Sequence, residues 1–368
     1  MREPRPPAFP TATELALWRQ REEQLDRSHM RAHVSAFGER LRAAVAPSLA
    51  FATALEHSEV TPEVVVILGM GGSAIAGDLV GAALASRGTL PVLTVRSAEP
   101  PAWVDDRAFV IGSSYSGDTE ETMSAYRTAR ERGARGVAIT TGGALGAAAR
   151  ELGDPVLRLP AGLPPRAALP ESLAACVLVL AALDAAVDAE TLAGELERAA
   201  SALDGFAPEW LAWDERNPAV GIAASCADRL PIIYGGHPVS IAAAGRWKAQ
   251  LNENGKIPAW TGAFPEHGHN EIVGFDGAHP ALDRIALVYL ETPWDDPRVA
   301  RRMAWTRGAC SDKVGAQHRV EAGGESPLES MLQLCCLGDC ASFLVSIIIG
   351  RDPTPVTSID QLKAELAR

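Results

Sequence analysis

A chain of 368 residues exceeds one ordinary domain, and at roughly 100–200 residues per domain it predicts two. Hydrophobic residues make up 47% and charged residues 22%, which excludes a disordered chain. The formal net charge of −12 argues against a surface built for nucleic acid or anionic lipid. It still allows a small anionic ligand, because a local nest of backbone amides holds phosphate even in an acidic protein.

The start, Met1 to Pro10, is polar and proline-rich and lacks the apolar core of an export signal. The most apolar run, Ala341 to Gly350, falls short of the roughly 20 residues a bilayer span needs. Six cysteines form no disulfide framework. Cys335, Cys336 and Cys340 share one apolar helical pattern with no histidine nearby, which predicts buried thiols rather than a metal site. A cytoplasmic protein without a membrane or nucleic-acid partner is expected.

Along the chain, apolar positions recur at three and four through residues 11–57, predicting helices. Five short β-branched runs follow: 64–68, 91–95, 108–112, 136–140 and 155–159. Helical spacing lies between them at 74–86 and 119–132, and such alternation predicts a parallel sheet covered on both faces. Helical patterns at 170–187 and 189–203 lead to 204–218, rich in Trp, Pro and charge, which reads as a linker. A second α/β round has strands at 230–236, 285–292 and 319–324 and helices at 241–251, 297–311 and 327–349. A proline-containing strap and a last short helix close the chain.

Several turns carry chemistry. VVVILGMGGSAIAGDL (64–79) ends a strand in glycines and opens a helix at once, so free N–H groups and the positive helix end face an anion. The third glycine of a dinucleotide fingerprint would fall at Ala74, and the next strand ends Thr94-Val95-Arg96 without the ribose-binding acid. SSYSGDTEET (113–122) sets Ser114, Ser116 and Thr119 around Gly117. It reads as a phosphate loop or, taken alone, as a helix cap. ITTGGALG (139–146) supplies a third strand-end turn, and GLPPRAALPES (162–172) holds Arg166 in a proline-bounded loop. Further on, Glu253 ends a helix between Asn252 and Asn254, where it is available as a base held between two amides. His267 and His269 lie in a Pro/Gly-rich stretch. Spacing two on a loop, with no third ligand, leaves these histidines open between structural and chemical roles rather than metal binding.

GMGGSAIAGDL, SYSGDTEET, ITTGG, PPRAALPES and NENGKIP…PEHGHNEI, in this order and spacing, resemble the bifunctional phosphoglucose/phosphomannose isomerase family. The likeness runs from about residue 60 to the C-terminus. It implies two doubly wound parallel-sheet α/β sugar-isomerase (SIS) domains, at 58–204 and 205–350. A helical extension at 1–57 precedes them and a strap with a helix at 351–368 follows. It implies an active site at the domain junction, completed in a homodimer. Gly71, Gly72, Ser73, Ser114, Ser116 and Thr119 would hold the substrate phosphate. Arg166 would steady the enediolate, Glu253 would act as the base, and His269 would open the sugar ring. Glucose 6-phosphate, mannose 6-phosphate or both would convert to fructose 6-phosphate through a cis-enediol, with no metal and no cofactor. A non-catalytic phosphosugar-binding protein is the alternative. Two departures from the family pattern stand out. Asp118 replaces an amide and would set a carboxylate near the phosphate. The family's lysine on the C-terminal helix has no counterpart in 326–349, where an ungapped alignment places Leu344, so an apolar wall and weakened turnover are expected.

Overall fold

A computed structural model describes residues 10–55, 61–277 and 279–366. The polar start up to residue 9 and the last two residues of the first predicted helical stretch, 56–57, lie outside the described residues. Three helices come first: α1 (Ala12–Leu25), α2 (Met30–Ser35) and α3 (Phe37–Ala54). The first sheet region follows with β1 (Val64–Leu68), α4 (Gly71–Leu84), β2 (Val92–Val95), β3 (Ala108–Ser113) and α5 (Glu120–Glu131). It continues with β4 (Arg135–Thr140), α6 (Gly143–Glu151), β5 (Val156–Arg158), α7 (Leu169–Leu183) and α8 (Ala189–Leu211). The second holds α9 (Pro218–Cys226), β6 (Leu230–Gly235), α10 (Pro238–Glu253), β7 (Trp260–Ala263) and β8 (Ile285–Glu291). It ends with α11 (Pro297–Ala309), β9 (Ala316–Glu321), α12 (Pro327–Ile348) and α13 (Thr357–Leu366).

The chain divides into two compact units. One comprises Ala36–Gly205 and Gly323–Gln333; the other comprises Met1–Ser35, Phe206–Ala322 and Leu334–Arg368. The helices before β1 are thus shared out, α1 and α2 to one unit and α3 to the other. In the first unit all strands run parallel in the order β2-β1-β3-β4-β5. β1 and β3 are buried almost throughout because helices cover both faces, which is why they read as unbroken apolar runs rather than alternating ones. Val66, Val110, Tyr126 and Leu145 pack together in one core, and α3 and α4 both lie on α7, which is apolar beyond its first turn. The second unit has a four-stranded parallel sheet, β7-β6-β8-β9. Its core gathers Tyr234, Phe264, Leu287 and Tyr289.

Four sequence expectations shift. The linker at 204–218 is helical as far as Leu211, and α9 starts at Pro218. Leu192, Leu196, Leu203, Ala207 and Leu211 are all fully buried at helical spacing, so the apolar stripe carries α8 through Pro208, which forfeits one backbone bond. β7 is an added strand, hidden in the sequence because WTGA lacks a β-branched run. The last strand lies three residues earlier than 319–324. The apolar run near the C-terminus is also longer than 341–350: Pro165–Leu183 and Pro327–Ile348 match a bilayer span in length and composition, but 83% and 89% of their most apolar windows are buried within the protein.

Inside the second unit, Arg246 on α10 and Asp339 on α12 form a two-pronged ion pair at 3.0 and 2.8 Å with side chains 1% and 5% exposed. Asp339→Ala removes the carboxylate that compensates a buried guanidinium. It is expected to cost about 3–5 kcal/mol, whereas the joint change Arg246→Met with Asp339→Leu restores most of that loss. Urea unfolding of the two variants checks both directions.

Candidate functional site

In the first sheet the order reverses between β1 and β3, which pair directly, Leu68 beside Gly112. Ligands of open α/β sheets bind outside the carboxyl ends of strands at such a reversal. The GGS and SSYSG turns leave from these two ends, so they are immediate neighbours.

α4 starts at Gly71, with φ of +51°, so Gly71, Gly72 and Ser73 form the first turn at its positive end. Ser73 Oγ accepts the backbone N–H of Tyr115 at 3.2 Å, which ties the first turn to the second. Within the second turn, Ser114 and Thr119 share a hydroxyl–hydroxyl bond of 3.0 Å. Ser114 Oγ accepts Gly117 N–H at 3.1 Å, and Ser116 Oγ accepts Asp118 N–H at 3.2 Å. The structure therefore brings the four predicted hydroxyl residues into one hydrogen-bonded pair of turns. The third turn supports the second: Thr141 N–H donates to Tyr115 O at 3.0 Å and Leu145 N–H to Gly117 O at 2.8 Å. Gly117 has φ of +78°, and any side chain there would overlap the Gly142 carbonyl, so only glycine lets the two turns close.

Asp118 is not aimed as the sequence suggested. Its Oδ1 accepts the N–H of Ala144, at 3.0 Å, in the first turn of α6. The carboxylate is engaged by a helix N-terminus and acts as a clamp between turns. Arg166 sits in a short 3-10 helix, Pro165–Ala168, and is 4% exposed. A side chain at Gly72 would meet its Cα at 3.4 Å, so the Arg166 backbone rests directly on the first turn.

The second unit carries the remaining residues. Glu253 is the last residue of α10 and lines a cleft of about 530 Å³ with Lys256, Arg351, Asp352 and the start of α13. The flanking amides do more than border the carboxylate. Asn254 Nδ2 donates to Ser342 Oγ at 3.2 Å, and Asn252 Oδ1 accepts Ala259 N–H at 3.1 Å. These bonds fix the backbone on either side of Glu253. Lys256 Nζ donates to the carbonyls of Glu253 at 2.6 Å and Pro353 at 3.1 Å, pinning the strap to the helix end.

His269 is exposed in a short 3-10 helix, Glu266–His269, and is not among the residues lining that cleft. Glu253 precedes β7 and His269 follows it, so the two flank that strand at its opposite ends. His267 is different: fully buried, it stacks on Phe264 at 4.6 Å and meets Tyr234 edge-on at 4.9 Å. Burial lowers its pKa and outweighs the opposing pull of Glu271, so the ring packs as a neutral aromatic.

Leu344 itself does not supply the expected apolar wall. Leu344 is 0% exposed in the core of α12, because that helix is buried around its whole girth there. The chain's last helix is α13, which carries an exposed Lys363. A cation on the C-terminal helix is therefore to be sought on α13, one helix beyond the stretch 326–349. Tyr115 lies inside the quoted SYSGDTEET motif but escapes a sequence reading that weighs only the small hydroxyls there.

Residues 62–189 match the SIS domain family, and residues 215–366 match the bacterial phospho-glucose isomerase C-terminal SIS domain. Fold and turns together define a protein of two SIS domains. A bifunctional phosphoglucose/phosphomannose isomerase of Caldicellulosiruptor bescii is 38% identical over 304 residues, 82% of this chain and 89% of that protein. One of Aquifex aeolicus is 31% identical over 306 residues, 83% and 90% of the two chains. This chain belongs to the bifunctional phosphoglucose/phosphomannose isomerase family. Among solved structures, a hypothetical protein of Thermus thermophilus shares the fold with a TM-score of 0.69 at 15% identity, over 96% of this chain and 94% of that one.

The clamp role of Asp118 has a measurable consequence. Asp118→Ala is expected to lower stability by about 1 kcal/mol, as for loss of a helix cap, while Asp118→Asn keeps an acceptor oxygen and loses far less. Equal losses in thermal unfolding would contradict that role.

Proposed function

We propose that this protein is an aldose–ketose isomerase interconverting glucose 6-phosphate and mannose 6-phosphate with fructose 6-phosphate. The observation that carries the reading is the pair of hydroxyl-rich turns meeting at the β1/β3 reversal in a chain of this family. Ser73, Ser114, Ser116 and Thr119, with the first-turn amides at Gly71 and Gly72, bind the phosphate and orient the sugar from a non-reacting end. The Glu253 carboxylate takes the proton from C2, leaving a cis-enediol, and returns it to C1 on the same face. The Arg166 guanidinium stabilises the negative charge developing on the sugar oxygens. None of these steps calls for a metal or a nucleotide. Lys363, rather than any residue of α12, is the cation of the C-terminal helix. The isomerase reading is favoured over a non-catalytic binding protein because relatives that match most of this chain are bifunctional isomerases. All six cysteines are free and buried, which suits a reducing cytoplasm.

Glu253→Gln keeps the shape and removes the proton acceptor. Turnover on both sugar phosphates is expected to fall by about 10²–10⁴. The rise in melting temperature given by fructose 6-phosphate should persist. A variant within a few-fold of wild type would assign the base elsewhere.

Because Glu253 and His269 flank opposite ends of β7, we assign ring opening to His269 of the partner subunit in a homodimer. Glu253→Gln and His269→Ala, each nearly inactive alone, should recover about a quarter of the wild-type rate when co-expressed. Half of the dimers are then mixed, and each mixed dimer has one whole site of two. No recovery would mean that one chain supplies both groups.

A further inference from the structure

We infer that Tyr115 and Arg40 are positioning residues for Arg166, holding its segment over the phosphate turns from both ends. The inference rests on the reading of Arg166 given above. The Tyr115 side chain is 8% exposed and leaves the second turn in the direction of the Arg166 segment. Its hydroxyl donates to the Pro160 carbonyl at 2.9 Å and accepts the N–H of Leu163 at 2.9 Å. Both bonds land just before the prolines that lead into the 3-10 helix. At the other end, Arg40 of α3 grips Glu171 with two bonds of 2.8 and 2.7 Å, and its Nη2 also donates to the Ala167 carbonyl at 2.6 Å. The Arg40 and Glu171 side chains are 14% and 6% exposed, so water screens this pair little.

The segment has no strand or long helix of its own to hold it, and one turn of 3-10 helix is weak. The two clamps supply the missing rigidity. Tyr115 gives its own N–H to Ser73, so the phosphate turns and the Arg166 segment are fixed to a single residue. The phosphate and the developing oxyanion lie at opposite ends of the substrate, and their spacing in the protein is then set by Tyr115. A role also follows for α3, which supplies Arg40 from outside the βα repeats.

Tyr115→Phe removes only the hydroxyl, and Arg40→Lys keeps the charge without the fork. Each is expected to lower kcat about ten- to a hundredfold, as a small misplacement of a charge-stabilising group does. KM and the affinity for inorganic phosphate should stay within about twofold of wild type. Hydrogen exchange should quicken at amides within 163–168 and not in the β1 and β3 turns. In an Arg166→Lys background, Tyr115→Phe should cost little more, because residues acting through one group are not additive. A full additional loss in that background, or unchanged exchange within 163–168, would overturn the inference. Full activity of Arg166→Lys and Arg166→Ala would instead overturn the role given to Arg166, while the exchange data would still decide whether the two residues hold the segment. Melting temperatures identify a variant that has merely lost its fold.

Discussion

β1 and β3 pair in parallel with no strand between them, and β2 is pushed to the outside of β1. The closeness of the two hydroxyl-rich turns depends on that pairing. Two strands that are neighbours in a sheet lie about 4.8 Å apart, so turns leaving the same edge are within hydrogen-bonding reach of each other. The crossover rule then sends α4 and α5 to opposite faces, and both helix N-termini remain at that edge. Neither turn carries a positively charged side chain. A phosphate proposed there would be met by backbone amides and hydroxyl dipoles, which suits a chain with a net charge of −12.

Such a site is useful only if its dipoles do not move. Ser114, Ser116 and Thr119 each have a hydrogen-bond partner within the second turn, and the third turn braces it through backbone bonds and the Asp118 carboxylate. The acidic side chain that looked like a defect in a phosphate site spends its charge on a helix end. The second unit uses a different device. Glu253 stands at a helix terminus, and the main chain before and after it is pinned by Asn252, Asn254 and Lys256. The backbone on either side of Glu253 is held while Glu253 lines the cleft.

The fold class was legible because buried parallel strands announce themselves as apolar runs, as in 64–68 and 108–113. The glycine turns at their ends were legible for the same reason: backbone conformation writes itself into composition. The parts that escaped are those decided by tertiary contact. Pro208 looks like a break until the apolar stripe of α8 is seen buried on both sides of it. Asn252 and Asn254 flank Glu253 in sequence, yet their amides reach Ala259 and Ser342, which no local pattern announces. Leu344 and Lys363 cannot be ranked without knowing which of two terminal helices is enclosed. His267 and His269 are two residues apart and chemically alike, and only burial separates a packed ring from an exposed one.

One further consequence concerns how the chain is made. The unit built on β1 to β5 includes Gly323–Gln333, and the other includes residues from both ends of the sequence. Neither unit is an uninterrupted stretch. A ribosome that has finished Gly205 has not yet produced all of the first unit, and α1 and α2 must wait for the chain beyond Phe206 before their own unit exists. Folding one domain after another during synthesis is therefore not open to this protein in the simple form. Expression of either half by a cut near residue 205 would leave both products missing native contacts. The cleft beside Glu253 is lined in part by residues near the end of the sequence, so Glu253 gains its surroundings only late in synthesis.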